Sequence, residues 1–97
     1  MRLLTNAAQV LACVARDPGS RLRDIATCVG ITERAAHRIV CELEADGYIT
    51  RHREGARNTY ELHPDLPLDQ ESDSVVPVGA LLRLLIADPR DEERTVA

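Results

Sequence analysis

The stretch SRLRDIATCVGITERAAHRIVCELEADG, residues 20–47, constrains this chain more than any other. Leu22, Ile25, Ala26 and Val29 recur at the spacing of one helical face, and Ala36, Ile39, Val40 and Leu43 do so again. Only Val29-Gly30-Ile31 is left to connect the two segments. Gly30 suits the left-handed residue that ends a helix. Thr32 is a good N-cap for the next one, and Glu33 sits where the helix dipole favours an acid. Two helices joined by so tight a turn form a helix-turn-helix. Gly47 ends the second, and Tyr48 is placed to pack back on Leu43.

The flanking segments extend the pattern. Ala7, Val10, Leu11 and Val14 predict an earlier amphipathic helix. Thr5 or Asn6 can cap it, with Gln9 completing a capping box if Asn6 is the cap. Asp17-Pro18-Gly19 stops it, and Ser20 is available to cap the helix after it. Residues 48–53 and 58–62 are β-prone, and Glu54-Gly55-Ala56-Arg57 reads as the turn of a hairpin between them. Ile49, Tyr60 and Leu62 are its expected inward residues, and a lone hairpin of this size must lean on the helices.

From His63 the composition changes. HPDLPLDQESDSVVP holds three prolines and four acids, and it reads as an extended linker without a core of its own. VGALLRLLIAD is a nearly all-apolar helix stopped by Asp88-Pro89, and RDEERTVA is a charged, fraying end. The expected organisation is therefore one domain over 1–63, an acidic linker over 64–77, an apolar helix over 78–88 and a charged tail over 89–97. The fold class is mainly α with a small β-hairpin (α+β).

With no Phe or Trp and only Tyr48 and Tyr60 as aromatics, the core must be built from Leu, Ile, Val and Ala. Such a core is small, and oligomerisation is a common remedy. The formal charge of −4 is unevenly spread. Residues 1–63 hold nine arginines against eight acids, a net of +1, and residues 64–97 hold three against eight, a net of −5. The acidic balance belongs to the C-terminal third and leaves room for a local basic face earlier in the chain. All twelve basic residues are arginine, the side chain that grips phosphates and guanine edges through two parallel hydrogen bonds.

Other classes find little support. Cys13, Cys28 and Cys41 form no CxxC motif and no even framework, so small buried thiols are expected rather than a disulfide scaffold. Cys41, toward the edge of its apolar stripe, is the best candidate for a sensing thiol. Val10-Leu11-Ala12-Cys13 imitates a lipoprotein cleavage box only loosely, because Thr5, Asn6 and Gln9 make a poor signal core. No run approaches the ~18 apolar residues of a membrane span, and a cytoplasmic protein is expected. There is no nucleophile elbow, phosphate loop or metal-binding His pair, and His37, His52 and His63 lack ligand spacing. The chain is expected to be no enzyme and to need no cofactor or metal.

Three helices followed by a hairpin resemble the winged helix-turn-helix of bacterial transcription regulators, including the MarR-like group and its single-domain relatives. The resemblance covers residues 6–63 and rests on Ile25-Ala26, Gly30, Thr32, Arg38, Leu43, Gly47-Tyr48-Ile49 and the wing residues Arg53, Gly55, Arg57 and Tyr60. Ala35 and Ala36 depart from it, standing where a hydroxyl residue and a larger apolar residue are common. The long flanking helices through which larger MarR-like proteins dimerise have no counterpart in these residues. The resemblance implies that the third helix enters the major groove of double-stranded DNA. Its outward face holds Thr32, Arg34, Ala35, His37, Arg38 and Glu42. Arg34 and Arg38 are four apart and can each take a guanine O6/N7 edge, Ala35 can touch a thymine methyl, and His37 can donate to a base or phosphate. Thr32 and the helix N-terminus suit a phosphate. The wing offers Arg51, His52, Arg53 and Arg57 to phosphates or the minor groove, and Ser20, Arg21 and Arg23 are further phosphate candidates.

Val78, Leu81, Leu82, Leu85 and Ile86 cover more than one face of the last helix. They are expected to pack with the first helix, either within the chain or across the two-fold axis of a homodimer. Two other readings stay open: a winged helix that binds a protein partner, and a repressor responsive to thiol oxidation or metal.

Overall fold

The computed structural model describes residues 1–73 and 75–86. Its elements are α1 (Asn6–Arg16), α2 (Leu22–Val29), α3 (Glu33–Ala45), β1 (Ile49–Glu54), β2 (Arg57–Leu62) and α4 (Val78–Ile86). The expected helix stop at Asp88-Pro89 and the charged tail lie outside the described residues.

Thr5 caps α1, its hydroxyl accepting from the Ala8 amide at 3.1 Å. Asn6 is thereby the first helical residue. Gln9 donates to the Leu4 carbonyl, so the capping box that Asn6 would have formed does not arise. The Ser20 amide donates to the Asp17 carbonyl at 3.0 Å, closing the Asp17–Ser20 turn. Helix α2 starts one residue later than a Ser20 cap would place it, with Arg21 at its cap and no side-chain capping bond, contrary to the expectation for Ser20. At the other end Gly30 adopts φ 83°, and the Gly30 and Ile31 amides both bond the Ala26 carbonyl. That left-handed step lets α3 begin two residues on, where Thr32 caps it as expected. Helix α3 ends with the Tyr48 amide on the Leu43 carbonyl at 3.0 Å, a bond that satisfies an otherwise orphaned carbonyl.

One core joins the three helices and the hairpin. Val10 and Val14 of α1, Ile25 of α2, Val40 of α3 and Ile49 of β1 are almost completely enclosed, and no polar or charged residue is buried among the described residues. The hairpin is a two-residue one. Glu54 pairs with Arg57, Arg51 with Tyr60 and Ile49 with Leu62, leaving Gly55-Ala56 alone at the tip. The first strand is thus shifted by one residue, the second is one residue longer, and the turn is shorter than the sequence pattern indicates. The Tyr60 amide donates to the Pro18 carbonyl at 3.0 Å, docking β2 on the turn between α1 and α2.

Residues 63–73 and 75–78 are not an extended linker. The His63 amide bonds the Tyr48 carbonyl, and Pro67 and Pro77 form an antiparallel bridge. Leu68 donates to Val76 and Val78 donates to Leu66. The Tyr48 hydroxyl donates to the Pro67 carbonyl at 2.9 Å. The segment is a strap that folds back on the end of α3 and delivers α4 to α1. The Gly79 amide bonds the Pro64 carbonyl, and a Cβ on Gly79 would lie 2.8 Å from the Pro64 Cβ, so the strap closes only with glycine there.

Helix α4 packs on α1 within the chain. Val78 and Leu82 are buried in the common core and Leu85 is half-buried against it. The Arg16 guanidinium donates to the Leu85 carbonyl at 2.8 Å, a cation placed where a helix C-terminus favours one. Val78 and Leu82 are therefore not available to a dimer interface, contrary to one of the two expectations for them. Leu84 remains 75% exposed and Ile86 38%.

Candidate nucleic-acid interface

The Thr32 hydroxyl accepts from the Ala35 amide at 3.1 Å and so fixes the first turn of α3. Burial of Ala36, Ile39, Val40 and Leu43 turns the opposite face outward. Arg34, His37 and Arg38 are exposed there, with Ala35 half-buried between them. Together with Thr32 these residues line one open, shallow concavity. Among the described residues, none accepts a hydrogen bond or forms an ion pair with Arg34 or Arg38. His37 is 3.7 Å from the Cys41 sulfur one turn along. The five residues singled out on this helix are thus gathered on a single surface, and its two guanidinium groups are unspent.

The wing arginines divide. Arg51 stands opposite Tyr60 on the inward face of the hairpin, two residues from the buried Ile49. Its guanidinium reaches Glu44 Oε1 at 3.0 Å and the Cys41 sulfur at 3.6 Å, while its backbone amide donates to Glu44 Oε2 at 3.3 Å. Cys41 first, and Glu44 with it, hold the guanidinium above its ordinary range. Arg51, half-buried, is a clasp between the wing and α3. Arg53 and Arg57 are exposed, their guanidinium groups bonded only to the Gly55 and Gly19 carbonyls, at 3.2 Å each. Neutral carbonyls leave the positive charge uncompensated, and each guanidinium keeps further donors. On the outer strand face His52 lies 2.9 Å from Glu61, and that contact holds the Glu61 carboxyl below its ordinary range.

Ser20 and Arg21 share a groove of about 420 Å³ with Arg57 and Asn58, between the start of α2 and the wing. Arg23 is exposed on α2. Glu44 is the participant that sequence reasoning missed. It lies one helical turn beyond Cys41, a spacing that puts both on the flank facing β1. Among the described residues no group of three His, Cys, Asp or Glu side chains is arranged to hold a metal ion.

Three helices, a three-residue turn and a docked hairpin define a winged helix-turn-helix protein. The family can be stated more closely: the chain belongs to the IclR helix-turn-helix domain family, whose pattern matches residues 3–53, from α1 into β1. Among solved structures it is similar to a MarR-family transcriptional regulator from Silicibacter pomeroyi, with a TM-score of 0.58 at 22% identity over 94% of this chain and 57% of that one. It is also similar to MepR, a transcription regulator of the Staphylococcus aureus multidrug efflux pump MepA, with a TM-score of 0.56 at 18% identity over 95% of this chain and 62% of that one. The chain spans about three-fifths of the length of each of these structures. At these identities the likeness is one of fold. Comparison with curated proteins finds no match. Among the described residues no helix is long and apolar enough to cross a membrane.

Proposed function

We propose that the chain binds double-stranded DNA sequence-specifically and acts as a transcription regulator. In this reading α3 lies in the major groove. Arg34 and Arg38 take base edges, Ala35 meets a thymine methyl, His37 donates to a base or phosphate, and Thr32 with the first amides of α3 meets a phosphate. Arg53 and Arg57 of the wing and Ser20, Arg21 and Arg23 of α2 grip the backbone. Arg51 acts indirectly, by fixing the wing to α3. The protein works by binding rather than by catalysis, and it works in the cytoplasm.

The observation that supports this best is the pair of exposed, unpartnered arginines one turn apart on the helix after the tight turn. An acidic chain that leaves two charges unneutralised on that face has a polyanion as its natural partner. A homodimer joined through the exposed remainder of α4, Leu84 and Ile86 with the half-buried Leu81, would place two such helices on half-sites about one turn of DNA apart. Selection of bound duplexes from a random pool with the purified protein tests the reading. A recovered motif with G at defined positions is the expected result, and failure to enrich any motif favours a protein-binding winged helix.

A further inference from the structure

Cys13 of α1 and Cys28 of α2 are fifteen residues apart in sequence, yet their sulfurs lie 2.9 Å from one another, with the Cys13 thiol donating to the Cys28 sulfur. Cys13 is 7% exposed and closes the core behind the pair, whereas Cys28 is exposed. Both border a cleft of about 220 Å³ between α1, α2 and the end of α4, which Gln9, Arg16 and Leu85 also line. Solvent and small molecules therefore reach the outer sulfur, and the inner one stands directly behind it.

We propose that Cys13 and Cys28 are an oxidisable dithiol that reacts with hydroperoxides and closes a reversible intrachain disulfide between α1 and α2. The Cys28 thiolate attacks one oxygen of the hydroperoxide, the O–O bond breaks, and an alcohol (or water) leaves after taking up a proton. Cys28 is now a sulfenic acid. The Cys13 sulfur, losing its proton to solvent, attacks the Cys28 sulfur; the S–S bond forms, the S–O bond breaks and water leaves. The two thiols lose two electrons and two protons in all, and the hydroperoxide is reduced to an alcohol and water.

The geometry favours this chemistry over the alternatives. The sulfurs need approach only roughly 0.9 Å to reach the bond length of about 2.05 Å. A metal ion bonded to both thiolates at about 2.3 Å would hold them roughly 3.8 Å apart at a tetrahedral angle, and no third ligand joins them among the described residues. Burial and the neighbouring sulfur push the Cys13 thiol up to about 11, so Cys13 keeps its proton at neutral pH and the first attack falls to Cys28. Arg16 supplies a positive charge beside the pair, which favours the transient anions. Cys41 is not a competing partner, because it lies on α3 with its sulfur against His37 and Arg51.

The proposal is independent of DNA binding and is tested without DNA. The full chain bearing Cys41→Ser is treated with hydrogen peroxide, its remaining thiols are alkylated, and it is mapped by peptide mass spectrometry without reductant. The expected product is a Cys13–Cys28 linked peptide within a monomer-mass chain. A cross-link closing a loop of this length should raise Tm by on the order of 10 °C, and dithiothreitol should reverse both changes. Cys28→Ser, which keeps an acceptor for the Cys13 thiol at an exposed position, should abolish the link and the Tm shift while leaving the reduced Tm close to that of the parent. Recovery of Cys28 as sulfinic acid beside a free Cys13 contradicts the proposal. So does a bond between two chains, or survival of both thiols at doses that oxidise free cysteine.

Discussion

Arg51 and Glu44 are joined twice: the guanidinium meets one carboxylate oxygen at 3.0 Å and the Arg51 backbone amide meets the other at 3.3 Å. The first bond ties a side chain of the wing to α3, and the second ties the strand itself. One carboxylate therefore ties both a side chain and the backbone of the wing to α3, and this relationship yields the first prediction.

Glu44→Gln removes an acid next to the proposed DNA surface, and simple electrostatics would have DNA bind more tightly. The clasp predicts the reverse, weaker binding across all sequences, because the wing loses its fixed orientation. Both side chains are partly exposed, at 27% and 39%. The cost in folding stability should therefore be small, about 0.5–1 kcal/mol. Urea denaturation and a gel-shift titration measure the two effects. Tighter binding by Glu44→Gln would mean that Arg51 is itself a phosphate ligand held back by the carboxylate.

Helix α4 separates core from surface within a few residues. Leu82 is 5% exposed and Leu84 is 75% exposed. Leu82→Ala should lower stability by about 2–4 kcal/mol through the cavity it leaves. Leu84→Ala should change it by less than about 0.5 kcal/mol. In light scattering the protein should show a mass that rises with concentration, and Leu84→Glu should hold it at the monomer. Equal destabilisation by both alanine variants would contradict the packing of α4 on α1.

The Cys13 thiol is raised from 9.0 to about 11, and burial also raises Tyr60. Both groups bind their protons more tightly when folded than when unfolded. The stability they contribute is therefore complete below the unfolded values and is lost as pH climbs through the folded ones. Under reductant, urea midpoints should hold steady to about pH 8 and fall between about pH 9 and 11. Cys13→Ala should show a shallower fall. A flat profile in the parent protein would place Cys13 in contact with solvent.

Local chemistry made much of the site legible. The Gly30 turn, the Thr32 cap and the apolar stripe of α3 are written in neighbouring residues, and they settle which side chains face out. The wing was harder to read because its arginines look alike in a list. Alternation from the buried Ile49 turns Arg51 inward, but its partner Glu44 lies across a turn whose geometry only the folded chain fixes. The strap that bridges Pro67 and Pro77 is held largely by backbone bonds between prolines and their neighbours, which leave no side-chain signature. The last helix is so uniformly apolar that its sequence does not say which leucines face α1. Ser20 is a residue that caps well, but α2 starts one residue beyond it, with Arg21 at the cap position.

The central claim is that Arg38 reads a base while Arg57 grips the backbone, and parallel duplex selection and salt titration of the two alanine variants test it most directly. Arg38→Ala should lose the preference at one base position, at a cost of about 1–3 kcal/mol on the selected site. Arg57→Ala should keep the full motif, bind all sequences more weakly and flatten the salt dependence by up to about one unit of slope. An unchanged motif from Arg38→Ala, with a loss spread evenly over all sequences, would contradict the account and leave α3 as a phosphate-binding surface.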